Sequence, residues 1–434
     1  MIPDYSQYSE LAFQTDQHIQ RIQSGQLLQH IKYCRENSPF YKKMKELGSL
    51  KGNYHIPVRL EDIPFTEKED IEQSNDSFRA VPMEKIVDIV MSSGTTGKAT
   101  RIMYTENDLK RLAYNEAQSF FSMGMNRDDI VLLTCTMDRC FVAGLAYFSG
   151  LRSMGAATIR NGHGTMESHL EMIRLHQPTA IIGVPSFVRK LGGFLKSEGI
   201  DPADTSVNKI ICIGEPLRNR QMQLLMGADE IESVWKARVY STYASSETVT
   251  TFCECTAQNG GHLHPELAFI EIVDEKGKVL SHGETGEIVI TPLAVEGMPL
   301  IRYKTGDISF TMNEPCSCGR KSLRLGPIIG RKKQMLKVKG TTLYPQAVFS
   351  LLSEMDNVID YYLEVKQTED LSDDLYVHVS VKGETLYPEQ LRKKLQARLR
   401  FAPHVVIDEP EALRRIVYTE KSRKPVRFVD KRNK

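Results

Sequence analysis

Four apolar runs, Ile130 to Thr136, Ala180 to Val184, Lys209 to Ile213 and Arg238 to Tyr243, recur through the middle of the chain with helix-like stretches between them. Several are nearly continuous in Ile, Val and Leu, the mark of strands buried on both faces of a sheet flanked by helices. The pattern predicts a large α/β body around a buried sheet. The rhythm then changes. Phe269 to Val273 and Glu287 to Thr291 are separated by Asp274-Glu275-Lys276-Gly277 and by His282 to Gly286, typical hairpin punctuation, so a small antiparallel β unit is expected there. Beyond Gly330 the pattern reads as α+β: helices at Pro345 to Met355 and Pro388 to Leu399, strands at Tyr361 to Val365, Leu375 to Val381 and Val405 to Ile407. Two domains follow, 1–330 and 331–434, the second small but long enough to fold by itself.

Composition limits the function classes. The 434 residues carry 56 basic and 55 acidic side chains, so net charge argues for neither nucleic acid nor an anionic membrane as partner. The start of the chain lacks a basic and apolar leader, and no window is apolar over a membrane-spanning length, so a cytoplasmic protein is expected. Eight cysteines in such a chain are no disulfide framework. The pairs Cys253/Cys255 and Cys316/Cys318 point instead to metal. Cys316, Cys318, Cys255 and His262 make a common tetrahedral zinc set, with Cys253 and His264 as alternates, and a filled set of this kind is structural.

After the short β-like run Ile86 to Val90 comes Ser92-Ser93-Gly94-Thr95-Thr96-Gly97-Lys98. Its glycines permit close backbone approach. Its N–H groups and hydroxyls make a concave donor surface for phosphate oxygens, and Lys98 adds positive charge. It is not the Walker A loop, whose glycines stand farther apart and whose lysine precedes Ser or Thr. In chain order there follow Gly214-Glu215-Pro216, Tyr243-Ala244-Ser245-Ser246-Glu247, Tyr303-Lys304-Thr305-Gly306-Asp307, Gly330-Arg331-Lys332-Lys333 and Arg423-Lys424-Pro425-Val426-Arg427.

The types, order and spacing of these pieces resemble the adenylate-forming enzymes, and within them the phenylacetate–coenzyme A ligases. The opening segments Glu36 to Tyr41 and Leu60 to Thr66 share in the resemblance, which covers nearly the whole chain. It implies that a small carboxylic acid attacks the α-phosphate of ATP and that coenzyme A takes the acyl group from the adenylate. An adenylating enzyme with another acceptor, or a silent nucleotide-binding protein, are the alternatives; a homodimer is left open.

The resemblance also implies roles. The Ser92 to Lys98 loop holds the β- and γ-phosphates. Glu247 binds Mg²⁺ and Ser246 meets the α-phosphate. Gly214 to Pro216 and Tyr243 to Ser245 line the nucleotide, and Asp307, after a Thr-Gly turn, takes the ribose hydroxyls. Arg331 reaches ribose or α-phosphate. Where relatives carry a further arginine this chain has Pro327, with Arg324 as a candidate substitute. Lys424, with Lys421 as rival, stabilises the adenylation transition state from a mobile carboxy-terminal domain hinged at Lys333. Lys337, Lys339 and Gly340 serve coenzyme A. Phe141, Gly144, Gly183, Pro185 and Ala237 outline an apolar slot for an arylacetic acid.

Overall fold

The computed structural model describes residues 9–48, 60–92, 100–338, 341–353, 355, 357–367, 373–382, 388–399, 401–419 and 425–432. Ser93 to Gly97, Lys98, Lys339, Gly340, Lys421 and Lys424 therefore lie outside the described residues. The chain forms two compact units, Met1–Leu224 with Ala228–Ile328, and Leu225–Gly227 with Ile329–Lys434.

The larger unit opens with helix Asp16–Asn37, whose first turn is capped by Thr15: its hydroxyl accepts from the His18 N–H at 3.3 Å. The helix buries Leu27, Ile31 and Cys34 against Tyr41, Ile71, Phe78 and Leu300. His30 sits in the same layer, its Nε2 3.0 Å from the Leu300 carbonyl. Burial drives its pKa down to about 4, against the pull of that carbonyl.

This depression fixes a pH dependence. The unfolded chain takes up a proton at His30 as pH falls below about 6.5, whereas the folded chain resists protonation down to about 4. Stability is therefore full above the unfolded value and declines as pH drops through that window, by about 3 kcal/mol in all. His30→Gln is expected to flatten the acid limb by that amount. Urea unfolding followed by Trp235, the chain's single tryptophan and buried in the larger unit, reads this directly. An unchanged acid limb would refute the assignment.

Among the described residues, fourteen strands build the larger unit: β1 (Ile86–Ser92), β2 (Thr100–Thr105), β3 (Ile130–Leu133), β4 (Ala157–Arg160), β5 (Ala180–Gly183), β6 (Lys209–Cys212), β7 (Arg238–Ser245), β8 (Thr250–Glu254), β9 (Gly261–His262), β10 (Ala268–Val273), β11 (Gly286–Pro292), β12 (Tyr303–Ser309), β13 (Thr311–Met312) and β14 (Arg324–Leu325). The expected apolar runs are β3, β5, β6 and β7. With β4 they form the parallel part of one sheet, which β8, β9, β14 and β13 extend in antiparallel fashion, in the order β13-β14-β9-β8-β7-β6-β5-β3-β4. Strand β4 gave no sequence signal because it lies at the edge, with its end residues exposed.

Each face of the sheet is covered. Helices Glu106–Ser122 and Val142–Met154 pack with Val131, Leu133, Ile182 and Ile211 on one side. On the other, helices Pro185–Ser197 and Met226–Trp235 bury Val188, Leu191, Ile231 and Trp235 on Leu132, Ile181 and Ile210.

The predicted antiparallel unit is present: β10 pairs β11 from Ala268↔Pro292 to Val273↔Glu287, and β12 lies beyond β11. Asp307 was expected after a turn. It stands instead inside β12, where pairing jumps from Val289↔Lys304 to Glu287↔Ile308 and Gly306 takes φ +76°. Such a bulge re-aims a side chain without ending the strand. The Thr305 hydroxyl fixes it, donating to the Ile288 carbonyl at 3.0 Å and accepting from the Asp307 N–H at 3.1 Å.

In the smaller unit, strands Val358–Gln367 and Asp373–Val381 pair antiparallel, flanked in parallel by Phe428–Asp430 and His404–Ile407. Helix Pro388–Leu399 buries Leu391, Leu395 and Leu399, as its spacing predicts. Helix Pro410–Val417 was not anticipated. No described helix is long and apolar enough to cross a membrane.

Candidate active site

The carboxyl ends of β5, β6 and β7 supply the first elements. Gly214, just past β6, has φ +75°, a conformation that side chains with a Cβ seldom adopt. It turns the chain so that Glu215 accepts from the Ser186 hydroxyl at 2.7 Å and the Ser186 N–H at 3.1 Å. Glu215 thus caps the first turn of helix Pro185–Ser197 and joins the loops after β5 and β6.

At the end of β7, the Tyr243 hydroxyl donates to Asp307 Oδ2 at 2.9 Å. Burial, then the Asp307 charge, hold the phenol far above its usual pKa, so it stays a donor. One Asp307 oxygen is thereby oriented by Tyr243. Two residues beyond β7, Glu247 is buried, with Oε2 accepting from the Ser245 hydroxyl at 2.9 Å and Oε1 3.9 Å from Lys68 Nζ. Lys68 was missed in the sequence because nothing in its local pattern shows that helix Lys68–Phe78 approaches this turn.

The ends of the glycine loop are held close by. Ser92 pairs with Thr100, and Tyr104, on the strand leaving the loop, donates to the Ser246 carbonyl at 2.7 Å. The Met91 N–H donates to the Cys140 carbonyl at 3.0 Å, tying β1 to the turn before Phe141. Tyr303 bridges Thr66, whose hydroxyl contacts the Tyr41 hydroxyl at 2.8 Å. The two opening segments of the motif set therefore meet the Tyr303 to Asp307 strand. Arg111, also missed, is fully buried and donates to the Val249, Leu267 and Leu293 carbonyls beneath the Glu247 turn.

The acyl-slot candidates divide. Phe141 precedes helix Val142–Met154, and Pro185 is the first residue of helix Pro185–Ser197. Gly144 and Gly183 are glycines for lack of room: a Cβ would lie 2.1 Å from the Thr136 carbonyl oxygen and 2.5 Å from Thr134 Oγ1, respectively. Ala237 requires correction. It precedes β7 at its amino end, about 20 Å of extended chain from Tyr243, and is buried with Trp235 and Ile210 in the core.

Arg324 is corrected as well. Its guanidinium donates to the Asn259 and Glu314 carbonyls, both at 2.7 Å, so it frames a loop rather than substituting at Pro327. Pro327 offers its own carbonyl to Ser309 at 3.0 Å. Arg331 is exposed. Lys333 lies in a short turn of the smaller unit, its carbonyl accepting from Arg432 at 3.2 Å.

Cys255, His262, Cys316 and Cys318 place their ligand atoms within 4.8 Å of one another. Cys255 follows β8, His262 is in β9, and the other two sit between β13 and β14, neighbours in the sheet. The sulfurs of Cys255 and Cys316 are 3.6 Å apart, and Cys318 Sγ is 3.4 Å from His262 Nε2. A tetrahedral zinc with bonds near 2.3 Å separates two sulfurs by about 3.8 Å, so the spacing fits that ion. His262 Nδ1 meets the Ser322 hydroxyl at 3.0 Å, leaving Nε2 for a metal. Cys253 is excluded from the cluster: it belongs to the core with Tyr147 and Ile211. His264 points to Ser119 Oγ at 3.2 Å.

Comparison with known proteins gives consistent matches. A family model described as AMP-binding enzyme matches residues 35–295, and one described as AMP-binding enzyme C-terminal domain matches residues 340–432. The phenylacetate-coenzyme A ligase of Thermus thermophilus is 30% identical over 369 residues, covering 84% of this chain and 81% of that protein. The ligase of the same name from Escherichia coli is 28% identical, covering 90% of each. A crystal structure of 2-hydroxyisobutyryl-CoA ligase in the postadenylation state superposes with a TM-score of 0.81 at 21% identity, covering 96% of this chain and 90% of that one.

Proposed function

The chain belongs to the AMP-binding enzyme family, in the phenylacetate–coenzyme A ligase branch, and from this we propose that its acid is phenylacetate or a related arylacetic acid. The protein is an ATP-dependent, AMP-forming acyl-CoA ligase. The observation that carries the site assignment is the Tyr243–Asp307 hydrogen bond beside the buried Glu247, at the crevice edge of the parallel sheet.

Both reactants of the first step are anionic, so the site must supply donors and positive charge where charge builds up. Asp307, oriented by Tyr243, receives the ribose hydroxyls. Glu247, with Ser245 and Lys68 beside it, would hold Mg²⁺, which supplies charge neutralisation at the phosphates. Ser246 donates toward the α-phosphate, and the Ser92 to Lys98 loop holds the outer phosphates. Gly214 to Pro216 line the base. Arg331 and Lys424 act on the α-phosphate, and Lys333 serves as the pivot of the carboxy-terminal residues. The acyl group leaves the adenylate for the coenzyme A thiol, with Lys339 and Gly340 serving that substrate.

The assay is direct. Phenylacetate, ATP, Mg²⁺ and coenzyme A are expected to yield phenylacetyl-CoA and AMP, read by mass spectrometry. AMP without thioester, or thioester only with another acceptor, would refute the coenzyme A assignment.

The four-ligand cluster suits a structural zinc ion that ties the β8–β9 and β13–β14 connections together. Its loop also holds the beginning of the larger unit, where Lys321 and Ser322 N–H groups donate to the Ala12 carbonyl at 2.7 and 3.2 Å. Metal analysis is expected to find about one zinc per chain, as a complete tetrahedral set requires. Cys318→Ser is expected to lose the metal and to speed proteolysis near Phe13. Purified protein without zinc and with full activity would defeat this assignment.

A further inference from the structure

Resting on the ligase reading above, in which Gly214 to Pro216 line the base, we propose that Arg218 is a positioning residue for the nucleotide. Its buried ion pair with Glu254 anchors the base-lining loop to β8 and thereby sets the affinity for ATP. Tyr243 pairs with Phe252 across β7 and β8, their rings 6.1 Å apart. Glu254 follows two residues after Phe252, hence on the same face of the sheet and about 7 Å farther along. The chain leaving β6 turns at Gly214 and runs over this face, where Leu217 is buried with Cys212 and Val239.

The anchor is made of charge. Arg218 Nε donates to Glu254 Oε1 at 2.6 Å, and a second guanidinium nitrogen lies 3.4 Å from Oε2. Oε2 also accepts from the Ser241 N–H at 2.9 Å, so the carboxylate is held from β7 as well. The remaining guanidinium nitrogen donates to the Met222 carbonyl at 3.2 Å, closing the turn in which Arg218 bridges Leu224. Glu254 is 1% exposed and Arg218 8% exposed. β8 is paired along both edges, with β7 on one and with β9 on the other, where Glu254 faces Gly261. The loop is thus fixed at two points: Glu215 to Ser186 on one side, and Arg218 to Glu254 on the other.

Stability alone does not call for such a pair. Removing two charges from water offsets most of their attraction, and apolar residues of the same volume often serve a fold as well or better. Apolar contact, however, leaves direction unspecified. A guanidinium fork fixes both distance and plane against a carboxylate. Pro216 stands two residues before Arg218, so a shift of the fork is passed to the residues that line the base.

The test compares the natural protein with Arg218→Lys, which keeps the charge without the fork, and with the double variant Arg218→Met/Glu254→Gln. The double variant leaves neither charge buried and keeps an acceptor for the Ser241 N–H. Its KM for ATP in acid-dependent pyrophosphate release is expected to rise about tenfold, the scale of one well-placed hydrogen bond. The KM for the acid is expected to stay within about twofold, because loss of nucleotide binding alone touches one substrate. Calorimetry is expected to show AMP affinity falling by the same factor as the KM for ATP rises. Arg218→Lys is expected to change both in the same direction by about threefold, and it carries the test if the double variant does not fold. A folded double variant with unchanged ATP KM and AMP affinity overturns the proposal. So does an equal rise in the KM for ATP and for the acid, the mark of a role in the fold alone. Absence of pyrophosphate with every acid would instead overturn the ligase reading, and the AMP titrations would then decide Arg218.

Discussion

Lys424→Ala is expected to slow adenylate formation by about a thousandfold, the effect of deleting an oriented charge from a transition state. It is expected to leave thioester formation from supplied acyl-adenylate within a few-fold of the natural rate. The two half-reactions differ in where charge develops. When a carboxylate attacks the α-phosphate, negative charge gathers on phosphate oxygens while pyrophosphate departs, and a lysine cation there acts mainly on the transition state. When the thiol attacks, charge develops on the acyl carbonyl and AMP leaves. Single-turnover measurement of each step separates them. Lys421→Ala is the control and is expected to leave both steps unchanged. Equal loss of both steps in Lys424→Ala would remove that residue from its role.

Asp307→Ala is expected to behave differently, weakening both half-reactions because the nucleotide is retained through each. Hydrogen bonds to a charged acceptor contribute about 1.5–3 kcal/mol apiece, so losing two ribose contacts lowers nucleotide affinity by about a hundredfold or more. Tyr243→Phe removes only the hydroxyl that orients Asp307 from 2.9 Å. Its expected loss is about tenfold, the value of one neutral donor. Binding of AMP by calorimetry reads both variants without catalysis. If Asp307→Ala binds AMP as tightly as the natural protein, the carboxylate does not hold the ribose.

Much of this arrangement is legible in the sequence. The runs that became β3, β5, β6 and β7 are apolar at nearly every position because both sheet faces are covered, and that signal is local. Helix Pro388–Leu399 announced itself by Pro at its first turn and a leucine stripe. Edge strand β4 and helix Pro410–Val417 lacked comparable signals. The motif pieces at Tyr243, Glu247 and Asp307 were readable as types in order. Their meeting depends on the bulge in β12, whose Thr305-Gly306 pair has the local sequence of a turn.

Other positions depend on contacts that no local pattern holds. The resemblance implies Ala237 in the slot, but it stands at the amino end of β7 and is buried in the core. Arg324, the candidate substitute for the arginine that relatives carry at Pro327, is committed by its three-dimensional neighbours to carbonyl groups. Lys68 and Arg111 contact the Glu247 turn region from segments far away in sequence, as Coulomb and hydrogen-bond partners that no short window contains. The cysteine pairs were recognisable by chemistry, yet only the sheet order distinguishes Cys255 from Cys253.

Exchange of labelled pyrophosphate into ATP tests the central claim most directly, because it reports reversible acyl-adenylate formation alone. Exchange is predicted to require an arylacetic acid and Mg²⁺ and to proceed without coenzyme A. Tight ATP binding with no exchange across a panel of carboxylic acids, or exchange only when coenzyme A is added, would contradict it.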